Sequence, residues 1–153
     1  MKALFLEHFK YNKWANEKLL TFAAENNLTN NRINPIFSHL TLAQVIWCDR
    51  LHGNDAPQDI NEWTTWPWED IVEKCSQTNK DLISYVNNHA DDDFNEEIKF
   101  INTSGTDYVR QVRQVLTHVM QYTNFHRGQI VGLIHQGENI ITPSLDFIDF
   151  ANS

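Results

Sequence analysis

The chain has 153 residues, of which 41% are hydrophobic, and this length and composition are typical of one domain with a sizeable core, here predicted over residues 1–153. Its 12 basic and 20 acidic residues give a formal net charge of -8, which disfavours binding to nucleic acid and to anionic membrane surfaces. Two cysteines are too few for a disulfide scaffold, and no apolar run is long enough for a signal core or a membrane span, so we expect a soluble cytoplasmic protein with reduced thiols.

Two helices are predicted in the first third of the chain. Apolar residues recur at helical spacing over residues 3–24, which contain neither glycine nor proline, and they put Leu4, Ala15 and Leu19 on the buried face. After a polar break, Asn34 can cap a second helix, which then runs to about His52. The inward-facing residues predicted for this helix are Ile36, Leu40, Ala43, Ile46 and Trp47.

Two further helices are predicted in the remainder. The third runs from about Pro67 to about His89, and the fourth runs from about Thr106 to Gln136, where Gly137 can end it. Four such helices without convincing strands are typical of an all-α four-helix bundle.

The connections predict how the helices are ordered. The segment between helices two and three, residues 53–66, could span about 45 Å when extended, whereas a 20-residue helix is about 30 Å long. A long crossover is therefore feasible, and it predicts an up-down-down-up bundle in which helices two and three are parallel and helices two and four are antiparallel. The connection over residues 90–105 is also long enough to include a short hairpin.

Helix four carries three histidines, which point in different directions. At about 100° per residue, His126 lies within about 40° of the apolar residues Val112, Val115, Val119, Ile130 and Leu133, so it should face the core. Tyr122 shares that face. His118 lies about 80° away at the flank, and His135 lies on the far side.

A second inward-facing histidine is predicted on helix two, where His39 lies beside Ala43 and Ile46. In the up-down-down-up order, His39 near the start of helix two should reach the level of His126, about ten residues before the end of helix four. His8 also faces inward, but it lies near the start of helix one, roughly 20 Å away along the bundle.

Two imidazoles and a phenol on facing helices have two interpretations. Neutral imidazoles bind zinc, nickel, copper or ferrous iron, and Tyr122 could be the third ligand if the metal lowered the pKa of its hydroxyl. Alternatively, Tyr122 replaces a ligand, and a hydrogen bond or a water molecule links His39 and His126 without any metal.

Four segments of the chain occur together in a recognisable order. The chain resembles the DinB-like family of bacterial four-helix-bundle proteins, whose wider superfamily includes metal-dependent thiol S-transferases. The segments that carry the resemblance are YNKWANEKLL at 11–20, HLTLAQVIW at 39–47, HRGQI at 126–130 and PSLDFIDF at 143–150.

The resemblance implies a metal site and the class of small molecules that would bind there. The family's metal-binding triad corresponds to His39, Tyr122 and His126, so Tyr122 departs from the usual histidine. The implied cofactor is a divalent metal, zinc or nickel, which would bind a small thiol and present it to an electrophilic small molecule. The resemblance also implies a homodimer.

Other residues near these motifs have two interpretations each. Arg127 and Gln129 are predicted either to orient a substrate or ligand, or to contact solvent or a second subunit. Gly128 predicts a close approach of two helices, since glycine inside a helix costs about 1 kcal/mol relative to alanine.

The tryptophans at the crossover and the two cysteines are the remaining candidates for functional residues. Trp63, Trp66 and Trp68 are predicted either to wall a substrate pocket or to cap the core where the crossover packs. Cys48 falls opposite the predicted core face of helix two, and Cys75 has no motif around it, so both are predicted to be incidental thiols rather than nucleophiles.

Overall fold

Four long helices dominate the computed structural model of the chain, which describes residues 1–29, 32–55, 60–137 and 140–153. The predicted all-α class is confirmed, since the described residues add only one two-stranded sheet to the helices. In chain order the elements are α1 (Lys2–Glu25), α2 (Asn34–Leu51), α3 (Trp68–Asn88), a 3₁₀ turn (Asp92–Asn95), β1 (Glu97–Ile101), β2 (Asp107–Gln111), α4 (Val112–Gly137) and α5 (Phe147–Ala151).

The helix directions follow from which helix ends pack together. One core cluster joins the ends of α1 and α4 to the starts of α2 and α3, and it includes Leu19, Ala23, Phe37, Leu40, Ile71, Cys75, Ile130 and Ile134. The other joins the starts of α1 and α4 to the ends of α2 and α3, and it includes Phe5, Phe9, Cys48, Leu51, Leu82, Val86, Val115 and Val119. The chain therefore has the predicted up-down-down-up order.

The crossover between α2 and α3 returns the chain to the start of α2. The backbone N–H of Trp66 donates a hydrogen bond to the Ser38 hydroxyl at 3.0 Å. The Trp68 ring packs edge-on against Phe37, with 5.3 Å between ring centroids. These contacts place residues 60–67 over the part of α2 that carries His39.

A hairpin replaces the predicted first turns of helix four. Strands β1 and β2 pair antiparallel from Glu97 opposite Gln111 to Ile101 opposite Asp107. Helix α4 begins at Val112, so the predicted start at about Thr106 is wrong. A short hairpin is present, but only its first strand lies in the connection over residues 90–105, and its second strand occupies the predicted first turns of helix four. The tight turn holds because the Asn102 side-chain oxygen accepts backbone N–H groups of Ser104 and Thr106, and Gly105 adopts a positive φ of 79°.

Three of the predicted side-chain directions differ from the structure. Leu4 is 55% exposed, and Phe5 and Phe9 are buried in its place. His8 is partly exposed beside Phe147 of α5, with 5.2 Å between ring centroids. Cys48 is buried, because it packs with residues of α1, α3 and α4 in the core cluster at the end of α2.

Among the described residues, no helix is both long enough and apolar enough to cross a bilayer.

Candidate functional site

His39 is held in one tautomer at the start of α2. Its ring is buried, and Nδ1 lies 2.7 Å from the backbone carbonyl oxygen of Glu62 on the crossover. Because a carbonyl oxygen only accepts, Nδ1 carries the proton and Nε2 presents its lone pair to the interior of the site. The Trp63 ring stacks on His39 with 4.0 Å between centroids and a 3° interplanar angle, which fixes the plane of the imidazole.

Tyr122 donates its hydroxyl proton to the lone pair of His39. The Tyr122 Oη atom lies 2.6 Å from His39 Nε2, and His39 Nε2 can only accept because Nδ1 holds the ring proton. Burial, together with the negative charge of Glu62, raises the pKa of the Tyr122 phenol. Tyr122 is therefore a neutral hydrogen-bond donor near pH 7.

His126 has the same tautomer as His39 but no partner for its lone pair. Its Nδ1–H donates to the Gln129 side-chain oxygen at 2.7 Å. Its Nε2 is buried and has no hydrogen-bond partner among the described residues. Burial, and secondarily the nearby His39, lower the pKa of His126, although the bond to Gln129 acts in the opposite direction, so the imidazole is neutral near pH 7.

The three predicted site residues come together between α2 and α4. The His126 ring centroid lies 4.8 Å from that of His39 and 4.4 Å from that of Tyr122. We call His39, Tyr122 and His126 the His–Tyr cluster. Its two imidazoles are each anchored through Nδ1–H, the support that histidines bound to metals also receive.

The donor atoms of the His–Tyr cluster do not fit a three-ligand divalent metal site. Ligands at about 2.0–2.1 Å from a tetrahedral zinc ion lie about 3.3 Å from one another. The 2.6 Å between His39 Nε2 and Tyr122 Oη is a hydrogen-bond distance. A metal would have to break this bond and ionise a phenol whose pKa burial raises. Among the described residues, no group of three or more His, Cys, Asp or Glu side chains could hold a metal ion.

The other histidines lie outside the His–Tyr cluster. His118 is at the flank of α4, where its ring contacts Trp47 and Tyr122 with centroid distances of 4.9 and 5.4 Å. Burial and the charge of Arg50 lower its pKa. His135 is exposed near the end of α4, and its Nε2 lies 3.1 Å from the Thr142 hydroxyl. Both positions agree with the predicted directions.

A cleft adjoins the His–Tyr cluster. Its first cavity, of about 220 Å³, lies between α2, α4, the crossover and the hairpin turn, and we call it the histidine cavity. His39 and Tyr122 line it together with Arg50, Glu62 and Thr103, which the sequence analysis did not identify. Arg50 was detectable, because it follows His39 by eleven residues and so lies only about 20° away around α2. Glu62 and Thr103 lie in connections, where helical periodicity carries no signal.

Comparison with known protein families shows which family the chain belongs to. A model of the DinB family matches residues 1–138, which includes α1 to α4 and all three residues of the His–Tyr cluster. The chain belongs to the DinB family. A comparison with curated proteins found no match.

The DinB motif HRGQI divides between the site and the core. Gln129 accepts the Nδ1–H of His126 beside the cleft. Arg127 points away from the cleft, is 2% exposed, and donates through Nη1 to the side-chain oxygens of Asn12 and Asn16 at 2.6 and 2.9 Å. At Gly128, an added methyl group would meet nothing within 4 Å among the described residues, so the predicted close helix approach is wrong.

The tryptophans of the DinB crossover have separate roles. Trp63 is 54% exposed and covers the outer face of His39. Trp66 and Trp68 are partly buried and pack against the core cluster at the starts of α2 and α3. Trp66 and Trp68 therefore cap the core, as one interpretation predicted, whereas Trp63 stacks on His39 without lining the histidine cavity.

Neither cysteine of this DinB chain has the properties of a nucleophile. Burial raises the pKa of the Cys48 thiol to about 12, with smaller contributions from Asp81 and Asp49. Burial raises the pKa of Cys75 to about 11, although hydrogen bonds from Thr41 and Asn79 act in the opposite direction. Both thiols are buried and protonated near neutral pH, in agreement with the predicted incidental role.

Proposed function

We propose that this DinB-family chain binds a small molecule in the cleft beside the His–Tyr cluster and does so without a resident divalent metal. The observation that carries the proposal is the 2.6 Å hydrogen bond from Tyr122 to His39 Nε2. This bond uses the lone pair that a metal would need, and it is made by the residue that stands where the family's third ligand is expected.

The cleft has the size and chemistry of a ligand site. The histidine cavity adjoins a second cavity of about 360 Å³, and both are lined by Trp47, Arg50, Asn102 and His118. Together they fall within the range of about 300–1,000 Å³ that is typical of small-molecule sites. Polar groups converge on an apolar floor that includes Leu42 and Ile46, the combination that orients a ligand while burying its surface.

Elemental analysis of protein purified without an affinity tag tests the proposal. We expect well below one equivalent of zinc, nickel, iron, copper or manganese per chain, both in the native protein and in His126→Ala. The variant is the matched control, because it removes one imidazole from the His–Tyr cluster. A near-stoichiometric metal in the native protein that His126→Ala abolishes would overturn the proposed function.

A second candidate is favoured by the buried, unpartnered Nε2 of His126. It is the metal-dependent thiol transferase that the family resemblance implies, and it requires the Tyr122–His39 hydrogen bond to break before His39, Tyr122 and His126 could hold zinc or nickel. The elemental analysis separates the two candidates. The thiol, the electrophile and the homodimer stay predictions of the resemblance.

A further inference from the structure

A second cavity lies on the hairpin side of the cleft, and its charge differs from that of the whole chain. We call it the hairpin cavity. It has a volume of about 360 Å³, and its lining includes two arginines and three aromatic residues, namely Arg50, Arg110, Trp47, Phe100 and Tyr108. None of the described residues that line it is acidic, although the chain carries a formal net charge of -8.

Arg50 is a buried cation without a close counter-ion. It is 5% exposed, and its guanidinium lies over the rings of Trp47 and Phe100, 4.5 and 4.7 Å from their centroids. Its one direct hydrogen bond among the described residues runs from Nη2 to the Ile101 carbonyl oxygen at 3.2 Å, and its Nε is buried and unpartnered. Neither ion pair within 4 Å among the described residues involves Arg50. A buried guanidinium in this state gains more than an exposed one from a bound anion.

The nearest carboxylates are engaged with other groups. Asp55 and Glu62 favour the charged form of Arg50 at longer range. However, Asp55 Oδ1 accepts the backbone N–H of Ile101 at 3.3 Å, and Glu62 Oε1 accepts the Thr103 hydroxyl at 2.7 Å. Both carboxylates therefore help to hold the hairpin against α2 and the crossover, and neither lines the hairpin cavity.

The aromatic walls select the shape of the ligand. The Phe100 and Tyr108 rings are nearly parallel, with an interplanar angle of 10°, and Trp47 stands edge-on to Phe100 at 5.1 Å. Arg110 lies over Tyr108 at 5.0 Å, and its Nη1 donates to the neighbouring Val109 carbonyl oxygen, so the exposed guanidinium keeps further donors for a ligand. Flat apolar walls with charged donors at the edge suit a planar ring that carries a carboxylate.

We propose that the hairpin cavity binds a planar aromatic carboxylate, with Arg50 and Arg110 as the donors to the carboxylate and the aromatic side chains as walls for the ring. This inference rests on the ligand-binding function proposed above and names the chemical class of the ligand. An arginine pair can form several charge-assisted hydrogen bonds to one carboxylate, which a neutral amide of the same shape cannot accept equally well.

Benzoate and its neutral isostere benzamide are the probes. Each is titrated into the full chain, and binding is followed through the NMR signal of the Trp47 indole N–H, which is identified by its absence in Trp47→Phe. We expect benzoate to bind about tenfold more tightly than benzamide. In Arg110→Gln the affinity for benzoate should fall by about fivefold or more while that for benzamide is unchanged.

Arg113→Gln is the matched control, because Arg113 is an exposed arginine near the start of α4 that does not line the hairpin cavity. It should leave the benzoate affinity unchanged, which separates direct contact from the general effect of losing one positive charge. Inorganic phosphate should compete weakly, since it has no ring to contact the walls. Equal affinity for benzoate and benzamide, or no effect of Arg110→Gln, would overturn the inference, as would a phosphate affinity equal to that for benzoate.

Metal content is measured on the same protein preparation. If benzoate fails to bind and the protein is metal-free, the ligand class is wrong while the proposed function stands. If the native protein holds a stoichiometric metal that His126→Ala abolishes, the proposed function fails whatever the benzoate result.

Discussion

Replacing Tyr122 with histidine is expected to create a tight zinc site. The substitution removes the hydroxyl that occupies the lone pair of His39, and it places a third imidazole one helical turn before His126. Three imidazoles with an open fourth position form a common zinc site, and the Nδ1–H groups of His39 and His126 are already anchored. We expect the zinc dissociation constant to fall by about 100-fold or more relative to the native protein.

Calorimetric zinc titration of the purified variant measures this gain. Tyr122→Phe is the matched control, since it frees His39 Nε2 but supplies no third ligand. We expect the zinc affinity of this control to exceed that of the native protein by at most about tenfold. Equal zinc affinity in native protein and Tyr122→His would contradict the claim that Tyr122 blocks the metal site.

Replacing Asn12 with alanine is expected to lower the free energy of unfolding by about 3 kcal/mol. The Asn12 side chain lies at the centre of a buried network that joins all four long helices. Its oxygen accepts from Arg127 at 2.6 Å, and its amide group donates to Gln44 at 2.7 Å and to Asn79 at 3.0 Å. Among the described residues no carboxylate forms an ion pair with Arg127, so amide oxygens compensate the buried charge. Removing one of them leaves a guanidinium under-solvated in the core.

Denaturant unfolding followed by circular dichroism measures this loss. Asn124→Ala is the control, because Asn124 is an exposed asparagine on α4 and should change the unfolding free energy by less than about 0.5 kcal/mol. The double variant Asn12→Ala with Arg127→Met should recover part of the loss, since the buried charge is then absent. A loss below about 1 kcal/mol in Asn12→Ala would be evidence that the network does not compensate Arg127.

The sequence was sufficient to predict the convergence of His39, Tyr122 and His126. Each lies on a long helix whose apolar face is set by helical periodicity, and the length of the crossover determines which helix ends meet. The same reasoning placed His118 at the flank of α4 and His135 on its far side. This reasoning left open whether a metal or a hydrogen bond joins the three residues. The two arrangements differ by less than about 1 Å in the distance between Tyr122 Oη and His39 Nε2, which helical periodicity cannot resolve.

The features of the fold and site that periodicity did not predict depend on contacts between segments distant in the chain. Glu62 supplies the carbonyl that fixes the His39 tautomer, but its position follows from how the crossover packs. Asn12 and Asn16 are buried because Arg127 lies opposite them, a pairing across more than a hundred residues that periodicity cannot reveal. The start of α4 was placed too early because residues 107–111 pair with β1 rather than continuing the helix.

The most direct test of the hydrogen-bonded His–Tyr cluster is ¹⁵N NMR of the histidine ring nitrogens in the native protein, before and after one equivalent of zinc. We predict protonated Nδ1 and unprotonated Nε2 for both His39 and His126, with both signals unchanged by zinc. Tyr122→Phe should shift the Nε2 signal of His39 and leave that of His135 unaltered. A stoichiometric shift of both Nε2 signals on adding zinc to the native protein would contradict the account.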